Sequence, residues 1–215
     1  MSDYILHEFF RSSASFRVRA ALKLKGIDYA HRSYKLRAKE QQTDAFRALN
    51  PQALVPTLQT PDGPIGQSLA IIEWLEETHP APPLLPPDPR GRARVRGLAY
   101  MVAMEIHPLN NLRVLQHVAG ELGQGEAGMA KWFRHWVAQT FPALEARLAG
   151  EPDTGRYCHG DTPGLADLCL AAQVMNNRRF DIPLDDYPTI ARIYDALMAL
   201  PAFAESLPEN QPDAI

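Results

Sequence analysis

A proline-rich segment divides the chain and limits what it can fold into. Residues 80–90 read PAPPLLPPDPR and hold six of the 19 prolines in these 215 residues. Proline fixes φ and removes a backbone donor, so neither a helix nor a central strand continues through such a segment. The sequence therefore predicts a linker at residues 81–90, between an N-terminal domain over residues 1–80 and a C-terminal domain over residues 91–215.

The N-terminal domain alternates short strand patterns with helical ones. Apolar and β-branched runs predict strands near residues 4–9, 29–36, 54–59 and 65–66. Helical periodicity predicts helices over residues 12–26, 40–49 and 68–78. The order β-α-β-α-β-β-α predicts an α/β domain with a mixed sheet and helices, rather than a barrel or a sandwich.

The C-terminal domain shows helical periodicity alone. Apolar residues recur every three or four positions from Val95 to Leu115, which predicts one long helix kinked at Pro108. Further helices are expected around residues 132–148, 165–175 and 190–200. We therefore expect this domain to be an all-α helical bundle.

The charge and cysteine content exclude several classes of partner. Lys and Arg number 22 and Asp and Glu number 25, so the formal charge of −3 provides no global field for nucleic acid or an anionic membrane. No apolar run reaches the roughly 18 residues of a membrane helix, and the N-terminus does not read as a signal peptide. The two cysteines lack metal-ligand spacing. We expect a cytoplasmic protein without a bound metal.

Ser12 and Ser13 lie where the first predicted strand gives way to a helix. The first helical N–H groups lack partners and the helix dipole adds partial positive charge, so an anion is stabilised there. For a thiol, lowering the pKa from ~8.5 to ~6.5 takes about 2.7 kcal/mol, within reach of one charged hydrogen bond plus the dipole. The alternative is that both serines are ordinary N-caps.

The beginnings of one predicted strand and one predicted helix could also bind a ligand. Val55-Pro56 opens a predicted strand, and a cis bond there would leave the backbone groups of Val55 free to pair with a ligand; a trans proline is the alternative. Gln67-Ser68 opens the third predicted helix, where Ser68 suits an N-cap and the helix N-terminus suits a ligand carboxylate.

The three segments Ser12-Ser13, Val55-Pro56 and Gln67-Ser68, in this order and spacing, resemble the thioredoxin-like domain of glutathione transferases. The segments FRSSASFRVRAALKLKGIDY, FRALNPQALVPTL, QSLAIIEWLEE, GDTPGLADLCL and NQPD are similar to the zeta class of that family, the maleylacetoacetate isomerases. Matching segments run from about residue 5 to residue 213. The resemblance implies an α/β thioredoxin-like N-terminal domain plus an all-α C-terminal helical bundle, with glutathione as cofactor and a homodimeric assembly.

The resemblance also implies roles for individual residues. Ser12 would stabilise the glutathione thiolate, with Ser13 and Arg17 beside it. The residues that would bind glutathione are Gln41, Val55, Pro56, Gln67, Ser68, His107 and Asn111. A dicarboxylate substrate needs arginine, because the planar guanidinium fits a carboxylate; Arg11 and Arg179 are the residues expected to bind it, with Arg113 and Arg178 as further candidates.

The implied reaction is the glutathione-dependent cis–trans isomerisation of maleylacetoacetate to fumarylacetoacetate, in tyrosine and phenylalanine breakdown. Three alternatives stay open. The substrate could be maleylpyruvate, in gentisate breakdown, or the chain could be a general glutathione-conjugating transferase. It could also bind glutathione without catalysis, although Ser12, Gln67 and Ser68 are all retained.

Overall fold

The computed structural model describes residues 2–214, which form two compact units. The first unit comprises Met1–Leu84 together with Ala199–Ile215, and the second comprises Leu85–Met198. The sequence interpretation placed the whole of residues 91–215 in the C-terminal domain. The final segment instead joins the first unit, because its side chains and carbonyls pair with the first helix and the second strand.

The first unit is built on a four-stranded mixed sheet, which confirms the predicted α/β fold class. The strands are β1 (Ile5–Glu8), β2 (Ala30–Ser33), β3 (Thr57–Thr60) and β4 (Gly63–Gly66). Their order in the sheet is β2-β1-β3-β4; β1 and β2 run parallel, and the other neighbouring strands run antiparallel.

Three helices accompany the sheet: α1 (Ser13–Leu24), α2 (Asp44–Leu49) and α3 (Ser68–Thr78). The helix predicted over residues 40–49 is a single 3-10 turn followed by α2. The hydroxyl of Thr43 accepts a hydrogen bond from Phe46 N–H, so Thr43 is the N-cap and the helix begins at Asp44, four residues later than predicted. Apolar side chains of α1, α3 and the central strands are buried in the core, among them Phe16, Leu22, Leu6, Leu58, Ile71 and Leu75.

The second unit is helical throughout its regular structure. Its helices are α4 (Pro89–Ala103), α5 (Leu112–Ala119), α6 (Gly125–Gly150), α7 (Leu165–Asn177) and α8 (Pro188–Met198). Helix α4 packs against α7, and α5 packs against α6. The buried carboxylate of Asp167 fixes the start of α7, because it accepts the backbone N–H groups of Gly164 and Cys158, both at 2.9 Å. No helix within residues 2–214 is long and apolar enough to cross a membrane.

The single long helix predicted from Val95 to Leu115 is wrong. Helix α4 ends at Ala103, and α5 begins at Leu112. The last regular bond of α4 joins the N–H of Met104 to the carbonyl of Tyr100, and Pro108, which has no N–H and whose ring clashes with the preceding turn, keeps the helix from continuing. The chain then restarts as a helix at Asn111, whose side chain accepts the N–H of Arg113 at 3.2 Å.

The last segment of the first unit contains α9 (Pro201–Ala204) and packs onto α1. The ring centroids of Phe16 and Phe203 lie 6.3 Å apart in the core. The backbone carbonyl of Ser206 accepts two hydrogen bonds from the guanidinium of Arg19, at 3.2 and 2.9 Å. Residues 199–214 are therefore part of the folded N-terminal unit.

Two histidines on neighbouring strands carry opposite pKa shifts. The hydrogen bond from His31 to the Glu8 carboxylate raises the pKa of His31; the negative charges of Glu8 and Asp213 add to this, while burial and the charge of Arg19 oppose it. Burial lowers the pKa of His7, whose ring contacts Tyr34 and Gln59. Folding therefore favours the charged form of His31 and the neutral form of His7.

These shifts predict opposite pH trends in stability. The contribution of His31 is complete below ~6.5, the pKa of an unfolded histidine, and is lost as pH rises through its raised pKa. We expect the stability difference between wild type and His31→Gln to shrink as pH rises, and the difference for His7→Gln to grow. Urea unfolding at a series of pH values measures both, and parallel curves for the two variants would contradict the prediction.

Candidate functional site

Ser12 is the N-cap of α1, directly after the turn that follows β1. Its Oγ accepts the N–H of Ser15 at 3.1 Å, and its own N–H donates to the carbonyl of Phe9 at 2.9 Å. Because Oγ is the acceptor in the capping bond, the hydroxyl hydrogen remains to be donated to a ligand. The N-cap and anion-site interpretations of Ser12 are therefore compatible in one geometry.

Ser13 and Arg17 are buried along the first turns of α1. Ser13 is the first helical residue rather than a cap. Arg17 is 2% exposed, and its guanidinium Nη1 donates to the hydroxyl of Ser68 at 3.4 Å. This contact links α1 to the start of α3, so two of the predicted site segments lie side by side.

The start of α3 has an uncommon backbone conformation. The sequence favours Ser68 as the N-cap, but the cap is Gln67, and Ser68 is the first helical residue. Gln67 has φ 67° and ψ 115°, and its side chain donates to Gln52 Oε1 at 2.8 Å instead of capping the helix. A positive φ in a residue other than glycine costs about 1–3 kcal/mol and concentrates at ligand-binding positions.

The turn before β3 leaves backbone groups available. The Val55-Pro56 bond is cis. Among residues 2–214, neither the N–H nor the C=O of Val55 has a hydrogen-bond partner. The side-chain oxygen of Gln41, in the 3-10 turn before α2, is also buried, and it has no hydrogen-bond partner within the described residues. Unsatisfied polar groups at such positions fit a ligand that supplies the missing partners.

Of the remaining predicted residues, Arg11 directly precedes Ser12, whereas His107, Asn111 and Arg179 lie far from it in the sequence. Arg11 is exposed in the β1–α1 turn, with its guanidinium 4.9 Å from the ring centroid of Phe10. His107 and Asn111 lie between α4 and α5, and Arg179 follows α7, so all three belong to the second unit. Arg179 is exposed and donates to Asn176 Oδ1 at 3.3 Å.

A charged cluster beside the β1–α1 turn was missed in the sequence interpretation. Glu8 and Arg19 form an ion pair in which both side chains are fully buried, and His31 donates to the second oxygen of Glu8 at 2.8 Å. Asp213 completes the cluster, 3.3 Å from His31. The available signal was a glutamate among the apolar residues of β1 and an arginine on the buried face of α1.

Within the described residues 2–214, no group of three or more His, Cys, Asp or Glu side chains is placed to hold a metal ion. The backbone groups of Val55 and the side-chain oxygen of Gln41 instead suit a ligand that has peptide groups of its own.

Comparison with known proteins agrees with the geometry. The family model for the N-terminal domain of glutathione S-transferase matches residues 6–83, and the model for the C-terminal domain matches residues 114–201. The chain is 47% identical to the maleylpyruvate isomerase of a Ralstonia species, over 97% of this chain and 99% of that protein. It is 46% identical to the maleylacetoacetate isomerase of Rattus norvegicus, over 97% of this chain and 94% of the relative.

A solved structure extends the similarity to three dimensions. The maleylacetoacetate isomerase of Methylobacterium extorquens AM1, crystallised with malonate and glutathione, superposes with a TM-score of 0.95 at 42% identity, covering 98% of this chain and 99% of that one. Identity at this level over nearly the full length fixes the family. The chain belongs to the glutathione S-transferase family, in the zeta class that contains the maleylacetoacetate and maleylpyruvate isomerases.

Proposed function

We propose that the protein is a glutathione-dependent cis–trans isomerase that converts maleylacetoacetate to fumarylacetoacetate. The observation that carries the proposal is the geometry of Ser12, which caps α1 through its oxygen and keeps its hydroxyl hydrogen for an anion. When bound, glutathione supplies a thiolate that adds reversibly to the cis double bond, so that the former double bond can rotate before elimination.

The residues of the first unit have separate tasks in this mechanism. Ser12 donates its hydroxyl hydrogen to the thiolate sulfur, and the N-terminal dipole of α1 adds partial positive charge. Ser13 belongs to the same first turn, and Arg17 holds Ser68 in position. These residues of the first unit thereby form the part of the glutathione site around the thiol.

The rest of the glutathione site follows from the unsatisfied groups. Val55, before Pro56, offers its backbone N–H and C=O to the peptide portion, and Gln41 offers a buried side-chain oxygen. Gln67 and Ser68 present a helix N-terminus to a carboxylate of the γ-glutamyl end. Arg11, exposed beside Ser12, is proposed to bind a substrate carboxylate. His107, Asn111 and Arg179 remain predictions from the family resemblance.

Maleylpyruvate is the second candidate substrate, because the 47% identical Ralstonia relative is a maleylpyruvate isomerase. Both substrates carry a cis double bond between carboxylate-bearing halves, so the same thiolate chemistry serves either. The chain length of the substrate is what differs.

An ultraviolet assay with each maleyl substrate tests the proposal. We expect isomerisation that requires glutathione, that is not supported by S-methylglutathione, and that leaves the glutathione concentration unchanged. The faster substrate identifies the physiological one. Consumption of glutathione would instead identify a conjugating transferase. Conversion at the same rate without glutathione, or no conversion of either substrate with it, would overturn the proposal.

The resemblance also supports an assembly and a location. We propose that two copies form a homodimer and that the protein works in the cytoplasm. Light scattering during size-exclusion chromatography measures the first, with twice the 24.0 kDa mass of the chain as the expected result. A single-chain mass at micromolar concentration would contradict it.

A further inference from the structure

The turn that carries Ser12 is tied to side chains outside it through one residue, Phe10. The guanidinium Nη2 of Arg19 donates to the carbonyl of Phe10 at 3.0 Å. The N–H of Phe10 donates to Oδ2 of Asp213 at 3.4 Å. Both backbone polar groups of a residue two positions before Ser12 are therefore held by groups outside the turn.

Asp213 is itself held on several sides. The hydroxyl of Ser33, at the end of β2, donates to the same Oδ2 that accepts from Phe10. The Nε2 of His31 lies 3.3 Å from Oδ1. The side chain of Asp213 is 18% exposed, so these contacts are partly shielded from water. A carboxylate oxygen that accepts two hydrogen bonds, from the Phe10 N–H and the Ser33 hydroxyl, has a fixed position and can fix the position of these neighbours in turn.

Arg19 is anchored to the same C-terminal segment. Its side chain is fully buried, and Nε and Nη2 both donate to the carbonyl of Ser206. The segment therefore holds the Ser12 turn in two ways: directly through Asp213, and indirectly through Ser206 and Arg19. The NQPD motif that ends in Asp213 has no other task in the proposed function.

We propose that Asp213 is a positioning residue for Ser12: its carboxylate holds the Phe10 peptide, and with it the first turn of α1, where the Ser12 hydroxyl meets the glutathione sulfur. This inference rests on the proposed role of Ser12. A hydrogen bond to sulfur depends steeply on angle and distance, and displacement of a reacting group by about 1 Å costs up to roughly 100-fold in rate.

The primary test is Asp213→Ala. We expect kcat to fall roughly 10-fold, the KM for glutathione to change less than about 2-fold, and the pKa of the bound glutathione thiol to rise because its hydrogen bond is misaligned. Asp213→Asn should keep most of the activity, since its amide oxygen can accept from Phe10 and Ser33. Ultraviolet titration of the thiolate measures the pKa, and steady-state kinetics measures kcat and the KM for glutathione.

Glu209→Ala is the matched control. Glu209 lies four positions earlier in the same segment, is exposed, and its side chain has no hydrogen bond or ion pair among residues 2–214. It should leave kcat and the thiol pKa at wild-type values. If Asp213→Ala does not fold, Ser33→Ala applies the same test, because it removes one of the two donors to Oδ2 and should raise the thiol pKa in the same direction by less.

A double-mutant cycle with Ser12→Ala separates the outcomes. If Asp213 acts through Ser12, Asp213→Ala lowers kcat in wild type but adds little in the Ser12→Ala background. An equal loss in both backgrounds, or a lower melting temperature with an unchanged thiol pKa, would overturn the inference. If Ser12→Ala itself leaves the thiol pKa unchanged, the role of Ser12 fails; if it raises the pKa and Asp213→Ala does not, only the positioning inference fails.

Discussion

Replacing Ser12 with alanine is expected to lower kcat roughly 10- to 100-fold, because a hydrogen bond to a charged partner contributes about 1.5–3 kcal/mol. The bound thiol should also become harder to deprotonate, since the dipole of α1 remains but the hydroxyl does not. The KM for glutathione should change little, because the carboxylate and peptide contacts of the ligand lie elsewhere in the first unit. Steady-state kinetics and ultraviolet titration of the thiolate measure these quantities.

Two variants isolate the hydroxyl from its capping role. Ser12→Ala also removes the N-cap, whose oxygen accepts the N–H of Ser15, and that loss costs about 1 kcal/mol of stability. Ser12→Thr keeps the hydroxyl and should retain most of the activity. Ser15→Ala makes the same substitution one turn later and keeps the backbone N–H, so it should leave kcat near wild type. Equal losses in kcat and glutathione affinity for Ser12→Ala would refute the assigned role.

Replacing Arg19 with methionine is expected to destabilise the protein by about 3–5 kcal/mol. The substitution leaves the fully buried Glu8 carboxylate without its guanidinium and leaves the carbonyls of Phe10 and Ser206 without donors. A buried charge that loses its partner retains the whole cost of leaving water, whereas a pair removed together does not. Denaturant unfolding gives the free energy directly.

The ion pair on the next turn of α1 provides the control. Lys23 pairs with Glu205 at 2.8 Å, but the two side chains are 32% and 61% exposed, so Lys23→Met should cost less than about 1 kcal/mol. The double variant Glu8→Gln, Arg19→Met should be less destabilised than the sum of its single variants. Additive losses would show that Glu8 and Arg19 are not coupled.

Sequence patterns predicted the helix bounds of the first unit correctly where interactions between neighbouring residues determine them. The 68–78 helix begins and ends where the sequence placed it, and the start of α1 follows from the serine cap. The sequence could not show that Gln67 takes the cap position with positive φ, because that conformation is imposed by the surrounding fold. The N-cap assignment was therefore right for Ser12 and wrong for Ser13 and Ser68, each of which is the first residue of its helix.

The sequence interpretation missed one local feature, the helix break near Pro108, and one long-range contact, that between Phe10 and Asp213. The periodicity from Val95 to Leu115 continued through Pro108, so apolar spacing alone could not reveal that Asn111 restarts the helix. Asp213 lies more than 200 residues from Phe10 in the chain, and no periodic pattern connects them. The NQPD motif was visible only as part of the family resemblance, which named no contact for it.

The discontinuous first unit constrains how the protein is made. Domains commonly fold one after another as the chain leaves the ribosome. Here Arg19 and Phe10 emerge early, but Ser206 and Asp213 emerge after the whole helical unit has been synthesised. A nascent chain stalled before residue 199 can complete the helical unit, yet its thioredoxin-like part still has a buried arginine without its Ser206 acceptor. The Ser12 turn thus reaches its final geometry only after Ser206 and Asp213 have been synthesised.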